Sequence, residues 1–162
     1  MKRLAGFTLV ELLVTISVMV ILLTLGSVAL TGYQVNARDE ERKTDIGVIT
    51  QQLESYYNTN GEYPSTDLVN TETLVKSALP NIDPKALRDP TTPTTATMSF
   101  AVATNTSVPS VGSLNNGKVY LYQPLTSTNT LCNASSQECR KFNLYYTLET
   151  DLTVKTITSK HQ

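Results

Sequence analysis

Residues 12–30 read LLVTISVMVILLTLGSVAL, a run without a single charged side chain. Residues 7–10 extend this apolar run at the front, and Glu11 is its one interruption. At about 1.5 Å of rise per residue, a helix over the whole run is roughly 36 Å long, which exceeds the ~30 Å hydrocarbon core of a bilayer. The sequence therefore predicts a membrane-inserting helix over residues 7–31.

The composition of the whole chain argues against several classes of protein. A length of 162 residues fits one domain of ordinary size. The 13 Lys and Arg nearly balance the 14 Asp and Glu, so electrostatics give no direct signal for nucleic acid as a partner. One His, at position 161, and two Cys are too few for a zinc site. We expect no cofactor, no metal and no enzymatic activity.

Three interpretations of the apolar run compete. In a secretory signal peptide, Lys2 and Arg3 would be the basic start and residues 27–29 a cleavage site with small side chains. In a plain signal anchor, the same two basic residues would hold the N-terminus in the cytoplasm. The third interpretation depends on Glu11, because a carboxylate inside hydrocarbon costs a few kcal/mol unless a partner neutralises it. Such a residue is by default a functional one.

The surroundings of Glu11 carry a family resemblance. Residues 6–14 read GFTLVELLV, which resembles the processing site of type IV pilins and their pseudopilin relatives. The resemblance implies that a prepilin peptidase cuts between Gly6 and Phe7, that residues 1–6 are a leader, and that the new N-terminal Phe7 is N-methylated. It also implies that Glu11 of an incoming subunit pairs with the Phe7 amine of its neighbour during assembly.

The resemblance also implies partners and a place in the cell. The partners are like subunits in a homopolymer, a prepilin peptidase, an inner-membrane platform protein and a cytoplasmic assembly ATPase. The precursor would be a single-pass membrane protein and the assembled product an extracellular or cell-surface fibre. Removing the leader also removes Lys2 and Arg3, and the mature chain becomes mildly acidic.

Beyond the apolar run the helical pattern continues. Residues 38–45 are dense in charge and contain i,i+3 and i,i+4 pairs, which favours a solvated helix face. Ile46, Ile49, Leu53, Tyr56 and Tyr57 then recur at helical spacing, as on a helix that faces a core. Residues 60–61, Asn-Gly, supply a stop, and the stretch 53–64 again resembles the helix-to-loop junction of pilins and pseudopilins.

The second half of the chain reads as a small sheet domain. Residues 67–79 favour a short helix, and four segments with period-two alternation favour antiparallel strands. These segments are 97–103, 118–123, 142–148 and 152–157. Residues 115–117, Asn-Asn-Gly, predict a turn before the second strand.

Cys132 and Cys139 lie close in sequence, with six residues between them. On the outer side of a membrane, two nearby cysteines usually pair, so the spacing favours a structural disulfide over metal or redox chemistry. Asp83, Asp89 and Asp151 are suitable calcium ligands by type, but no spacing links them. No metal site is predicted.

These observations predict an α+β fold in which a long N-terminal helix, transmembrane in its first half, packs under a small antiparallel β-sheet head. The predicted organisation is a leader over 1–6, a helix over 7–60 and a pilin-like head over 61–162. The first functional hypothesis is a type IV pilin, polymerised into a surface fibre for adhesion, motility or DNA uptake. The alternatives are a pseudopilin of a type II secretion or competence DNA-uptake system, and a signal-anchored extracytoplasmic binding protein.

Overall fold

The computed structural model describes residues 7–91 and 98–161, with the backbone alone over residues 26–31. The chain divides into two compact units, residues 1–37 and residues 38–162. The predicted leader, with Gly6 at its end, lies outside the described residues.

The long N-terminal helix is confirmed as α1, Leu9–Asn60. Its end follows from the sequence there, because Gly61 has a φ of 77°, in the left-handed region that a residue without Cβ enters at no steric penalty. The Gly61 N–H donates to the Tyr57 carbonyl oxygen at 2.7 Å, which closes the last turn. Pro64, close behind it, cannot continue the helix.

The first unit contains the apolar part of α1. From Phe7 to Leu25 the large apolar side chains are between 49% and 86% exposed, and they point to all sides of the helix. Within residues 7–91 and 98–161, no helix is both long enough and apolar enough to cross a membrane. The transmembrane character of residues 7–31 stays a prediction.

The second unit contains the end of α1, two short helices and four strands. The helices are α2, Thr66–Val69, and α3, Glu72–Ala78, where the sequence predicts one helix over 67–79. Short 3-10 turns follow at Pro84–Leu87 and Asn115–Gly117. The strands are β1, Phe100–Val102; β2, Tyr120–Leu125; β3, Lys141–Tyr146; and β4, Lys155–Thr158.

The four strands form one sheet in the order β1-β2-β3-β4, and the α+β fold class is confirmed. The sheet is mixed, which corrects the prediction of a purely antiparallel one. β2, β3 and β4 are antiparallel, but β1 runs parallel to β2, with Phe100 opposite Tyr120. Residues 103–119 are a connection long enough for the crossover that parallel neighbours need.

The core lies between the second half of α1 and one face of the sheet. Ile46, Ile49 and Leu53 of the predicted stripe are at most 1% exposed, and Tyr56 and Tyr57 pack beside them half-buried. The sheet contributes its large alternating side chains, which are Phe100, Tyr120, Tyr122, Phe142 and Leu144. The amphipathic stripe therefore packs into the core, as its spacing predicts, and it holds one face of α1 against the sheet.

Candidate functional site at the N-terminal helix

Helix α1 begins with a reciprocal cap between Thr8 and Glu11. The Thr8 backbone N–H and the Thr8 hydroxyl both donate to Glu11 Oε2, at 2.9 and 2.8 Å. In return, the Glu11 N–H donates to Thr8 Oγ1 at 3.2 Å. This is a capping box, in which two backbone donors of the first turn find side-chain acceptors.

The cap uses only part of the carboxylate. Both bonds from Thr8 end on Oε2 of Glu11, and among the residues that the structure describes, Oε1 has no hydrogen-bond partner. Phe7, one helical turn away, is 86% exposed and precedes the first residue of α1. The arrangement thus presents an acceptor oxygen and an exposed aromatic residue at the start of an apolar helix.

Thr8 is not among the residues predicted to be functional, although its sequence carries a capping signal. A Ser or Thr followed three residues later by an acid, just before an apolar run, is typical of a helix N-terminus. Thr8 and Glu11 have this spacing. Glu11 therefore has a local structural task in addition to the predicted assembly role.

A buried ion cluster lies at the first residues of the second unit. Arg42 is fully buried, and its guanidinium contacts Asp39 at 2.8 Å, Asp89 at 2.5 Å and Glu149 at 2.8 Å. Arg38 binds the same Glu149 through two hydrogen bonds of 2.7 and 2.6 Å. The cluster thus joins α1 to the loop before β1 and to the loop between β3 and β4.

This cluster corrects the interpretation of residues 38–45 as a solvated helix face. Asp39 is 2% exposed, and its two oxygens also accept hydrogen bonds from the N–H groups of Glu149 and Thr150 at 2.8 and 3.0 Å. Lys43 pairs with Glu40, not with Asp39, and this pair and the pair of Glu41 with Lys85 are exposed to solvent. A helix can show a charged face in sequence and still bury it when loops distant in sequence supply counter-charges.

Asp45 is a second buried carboxylate on the same stretch of helix. Its Oδ2 accepts a weak hydrogen bond of 3.3 Å from the Tyr120 hydroxyl. Burial raises the pKa of Asp45 to about 6, while the bond from Tyr120 lowers it and the charge of Glu41 raises it further. Asp45 is therefore a head carboxylate whose charge changes in a mildly acidic range.

The predicted disulfide between Cys132 and Cys139 is present and buried. The carbonyl oxygens of these cysteines accept hydrogen bonds from Thr66 N–H at 3.1 Å and from Tyr63 N–H at 2.8 Å. The ring of Tyr63 also packs edge-on against Phe142, with ring centroids 4.9 Å apart. The bridge thus fixes the chain that leaves α1 against the sheet.

His161 lies against α1. Its ring stacks on Tyr57 at a centroid distance of 4.2 Å, and Nε2 lies 3.8 Å from Glu54 Oε2. The Lys160 N–H donates to the other oxygen of Glu54 at 3.0 Å. These contacts hold the last described residues beside the C-terminal part of α1. No sequence pattern predicts these contacts.

The candidate calcium ligands do not meet. Asp83 caps a 3-10 turn through Lys85 N–H, Asp89 binds Arg42, and Asp151 pairs with Lys155. Within the described ranges 7–91 and 98–161, no group of three or more His, Cys, Asp or Glu side chains could hold a metal ion.

Comparison with known proteins identifies the N-terminal stretch. The model of the prokaryotic N-terminal methylation motif matches residues 1–27. This is the prepilin-type signal of type IV pilins and pseudopilins, so the resemblance seen in residues 6–14 is confirmed. The motif points to a structural subunit of such a fibre in general, one that polymerises and is processed by a prepilin peptidase. No curated protein and no solved structure matches the chain.

Proposed function

We propose that the chain is a type IV pilin, the structural subunit of a pilus. In this proposal the precursor is cut between Gly6 and Phe7, the amine of Phe7 is methylated, and the mature chains polymerise through their N-terminal helices. The single observation that carries the proposal is the methylation motif over residues 1–27, a range that contains the exposed apolar residues between Phe7 and Leu25.

The exposed apolar side chains support polymerisation through this helix. A helix that is apolar on all sides is stable only when lipid or other apolar helices surround it. Residues 7–25 have this character in the first unit. In the proposal, residues 7–31 lie in the membrane as part of the precursor and then leave the lipid to pack among like helices in the fibre.

Glu11 and Phe7 supply the chemistry that orders the assembly. Cleavage after Gly6 would expose a cationic amine on Phe7, and Glu11 Oε1 is the oxygen that the Thr8 cap leaves without a partner among the described residues. An amine and a carboxylate are each costly in an apolar environment, and a hydrogen-bonded pair is far less so. The proposed pair joins the amine of one subunit to Oε1 of its neighbour.

The proposed partners follow from this mechanism. They are other copies of the chain, a prepilin peptidase for the cut after Gly6, an inner-membrane platform protein and an assembly ATPase that drives extraction of the helix. The proposed location is a single-pass inner-membrane precursor and a fibre at the cell surface.

The experiment changes Glu11 to Val, with Val14→Ile as a matched control on the same helix. Glu11→Val removes the carboxylate and makes the segment more apolar, so a membrane anchor should insert at least as well as before. We expect processed Glu11→Val chains to accumulate in the membrane without fibres, while Val14→Ile assembles normally. Fibres of Glu11→Val at the wild-type level would contradict the proposal.

The same experiment separates the pilin from its two alternatives. Fibres sheared from the cell surface indicate a pilus. Glu11-dependent fibres that stay short and cell-internal indicate a pseudopilin of a secretion or DNA-uptake system. A chain that forms no fibres before the change, and whose location does not respond to Glu11→Val, indicates a signal-anchored binding protein.

A further inference from the structure

A groove with uncharged walls lies between the C-terminal part of α1 and the pair α2–α3. Its volume is about 460 Å³, which is in the size range of small-molecule sites. Gln52, Ser55 and Tyr56 line it from the side of α1, at positions that share one helix face. Leu68 and Leu74 contribute apolar surface from α2 and α3.

Several hydrogen-bonding groups in this groove are not used by the fold. Within the part of the chain that the structure describes, the side chains of Gln52, Ser55, Tyr56 and Asn81 make no hydrogen bond to another protein group. Asn81 belongs to the wall opposite α1, just after α3. Two amides and two hydroxyls therefore face one space from two sides, free to bond to a ligand.

The electrostatics of the groove favour a ligand without negative charge. Among the described residues that line it, none is ionisable except the Tyr56 phenol. Burial raises the pKa of Tyr56, and the carboxylates of Glu62 and Asp67 raise it further. The negative charges of these two carboxylates disfavour an anion next to this hydroxyl.

We propose that this groove binds a neutral saccharide, with Gln52, Ser55 and Asn81 hydrogen-bonding to its hydroxyl groups. The Tyr56 ring and Leu74 contact the C–H face of the sugar ring. Saccharides present many hydroxyl groups around an apolar C–H surface, and they match a site with amides and hydroxyls beside an aromatic ring and apolar side chains. The lack of charged groups in the groove selects neutral sugars over sialylated or sulfated ones.

The test measures binding to the full-length chain in micelles of a zwitterionic detergent, because the sugar head group of a maltoside detergent would compete. The probes are lactose, maltose and N,N′-diacetylchitobiose, with the acidic sugar 6′-sialyllactose for comparison. Saturation-transfer NMR detects contact, and a titration gives the dissociation constant. The chain is unassembled in this assay, so the result does not depend on the proposed polymerisation.

The decisive variants are Gln52→Ala and Gln51→Ala. They remove the same side chain from neighbouring positions of one helix, but Gln51 does not line this groove. We expect at least one neutral probe to bind saturably, Gln52→Ala to weaken it about five- to tenfold through a lost hydrogen bond, and Gln51→Ala to leave it unchanged.

A variant on the opposite wall tests whether a loss of affinity in Gln52→Ala is due only to misfolding. Asn81→Ala changes an exposed residue on the opposite wall, and we expect a similar loss of affinity with an unchanged thermal unfolding curve. The proposal is overturned if no neutral probe binds, if Gln52→Ala and Asn81→Ala both bind like the unaltered chain, or if 6′-sialyllactose binds more tightly than every neutral probe.

Discussion

Thr8 and Glu11 exchange hydrogen bonds at the start of α1, and a single carboxylate oxygen, Oε2, receives both bonds that Thr8 donates. The carboxylate thereby has two separable properties. One is its geometry, which caps the helix, and the other is its charge, which the assembly proposal needs. The two properties can be removed one at a time.

Glu11→Gln should keep the cap and abolish assembly. The glutamine carbonyl oxygen accepts the same hydrogen bonds at the third helical position, but it offers no charge to a neighbouring amine. We expect hydrogen exchange of the first amides of α1 to stay slow, and the yield of fibres sheared from cells to fall below a tenth of that of the unaltered chain. Normal fibre yield from Glu11→Gln would show that the charge is dispensable.

Thr8→Ala is the converse change. Loss of a Thr cap destabilises a helix start by about 1 kcal/mol, so hydrogen exchange of the first amides of α1 should become several-fold faster. The carboxylate of Glu11 remains, and we expect fibres to form. If Thr8→Ala stops assembly as completely as Glu11→Gln does, assembly requires the cap as well as the charge, and the two properties of Glu11 are not separable in function.

Arg42→Met should destabilise the head by about 3–5 kcal/mol, because it leaves buried carboxylates of Asp39 and Asp89 without their counter-charge. Lys43→Met is the matched control. Lys43 pairs with Glu40 in solvent, so its loss should change stability by less than about 1 kcal/mol. Urea unfolding followed by tyrosine fluorescence measures both variants. Equal effects would contradict the buried position of the Arg42 cluster.

Asp45 should make the head more stable as the pH falls from about 6 to about 4. The pKa of its carboxyl is about 6 in the folded chain, against the ordinary aspartate value of 3.8 expected in the unfolded chain. Between these values the folded state binds the proton and the unfolded state does not, so protonation favours folding and ionisation opposes it. The contribution is on the order of 2 kcal/mol.

Asp45→Asn removes this titration while its side chain still accepts the hydrogen bond from Tyr120. We expect the variant to be at least as stable as the unaltered head at pH 7, and to lose the gain in stability between pH 6 and pH 4. Urea unfolding curves at pH 4, 5, 6 and 7 test this. A variant that is less stable at pH 7 and keeps the unaltered pH dependence would assign the effect to another group.

The double change of Cys132 and Cys139 to Ala should lower the free energy of unfolding by about 2–3 kcal/mol, the value that loop-closure entropy gives for so short a loop. The chain after α1 hydrogen-bonds to the carbonyl oxygens of both cysteines. We therefore expect faster hydrogen exchange at Tyr63 and Thr66 in particular. Exchange that rises equally over the whole head would mean that the bridge does not fix this segment.

The predictable parts of the fold are those that local patterns determine. The stripe at Ile46, Ile49 and Leu53 packs where its spacing predicts. The helix end at residues 60–61 and the four strands also lie close to their predicted positions. Each of these depends on residues a few positions apart, and periodicity alone reports such relationships.

The parts that sequence patterns missed depend on residues far apart in the chain. Arg42 is buried because Asp89 and Glu149 approach from two loops, and no spacing within residues 38–45 reveals those partners. The direction of β1 depends on the path of residues 103–119. Period-two alternation predicts a strand but not the direction in which it runs. Thr8 is the exception, since its capping signal is local and could be read from the sequence.

The central claim is that this chain enters the pilin pathway, and the mass of its mature N-terminal peptide tests that claim most directly. The peptide should be isolated from membrane and cell-surface fractions and measured by mass spectrometry. We predict a chain that begins at Phe7 and carries one additional methyl group on its amine. An intact Met1, or a chain that begins at Leu30, would contradict it.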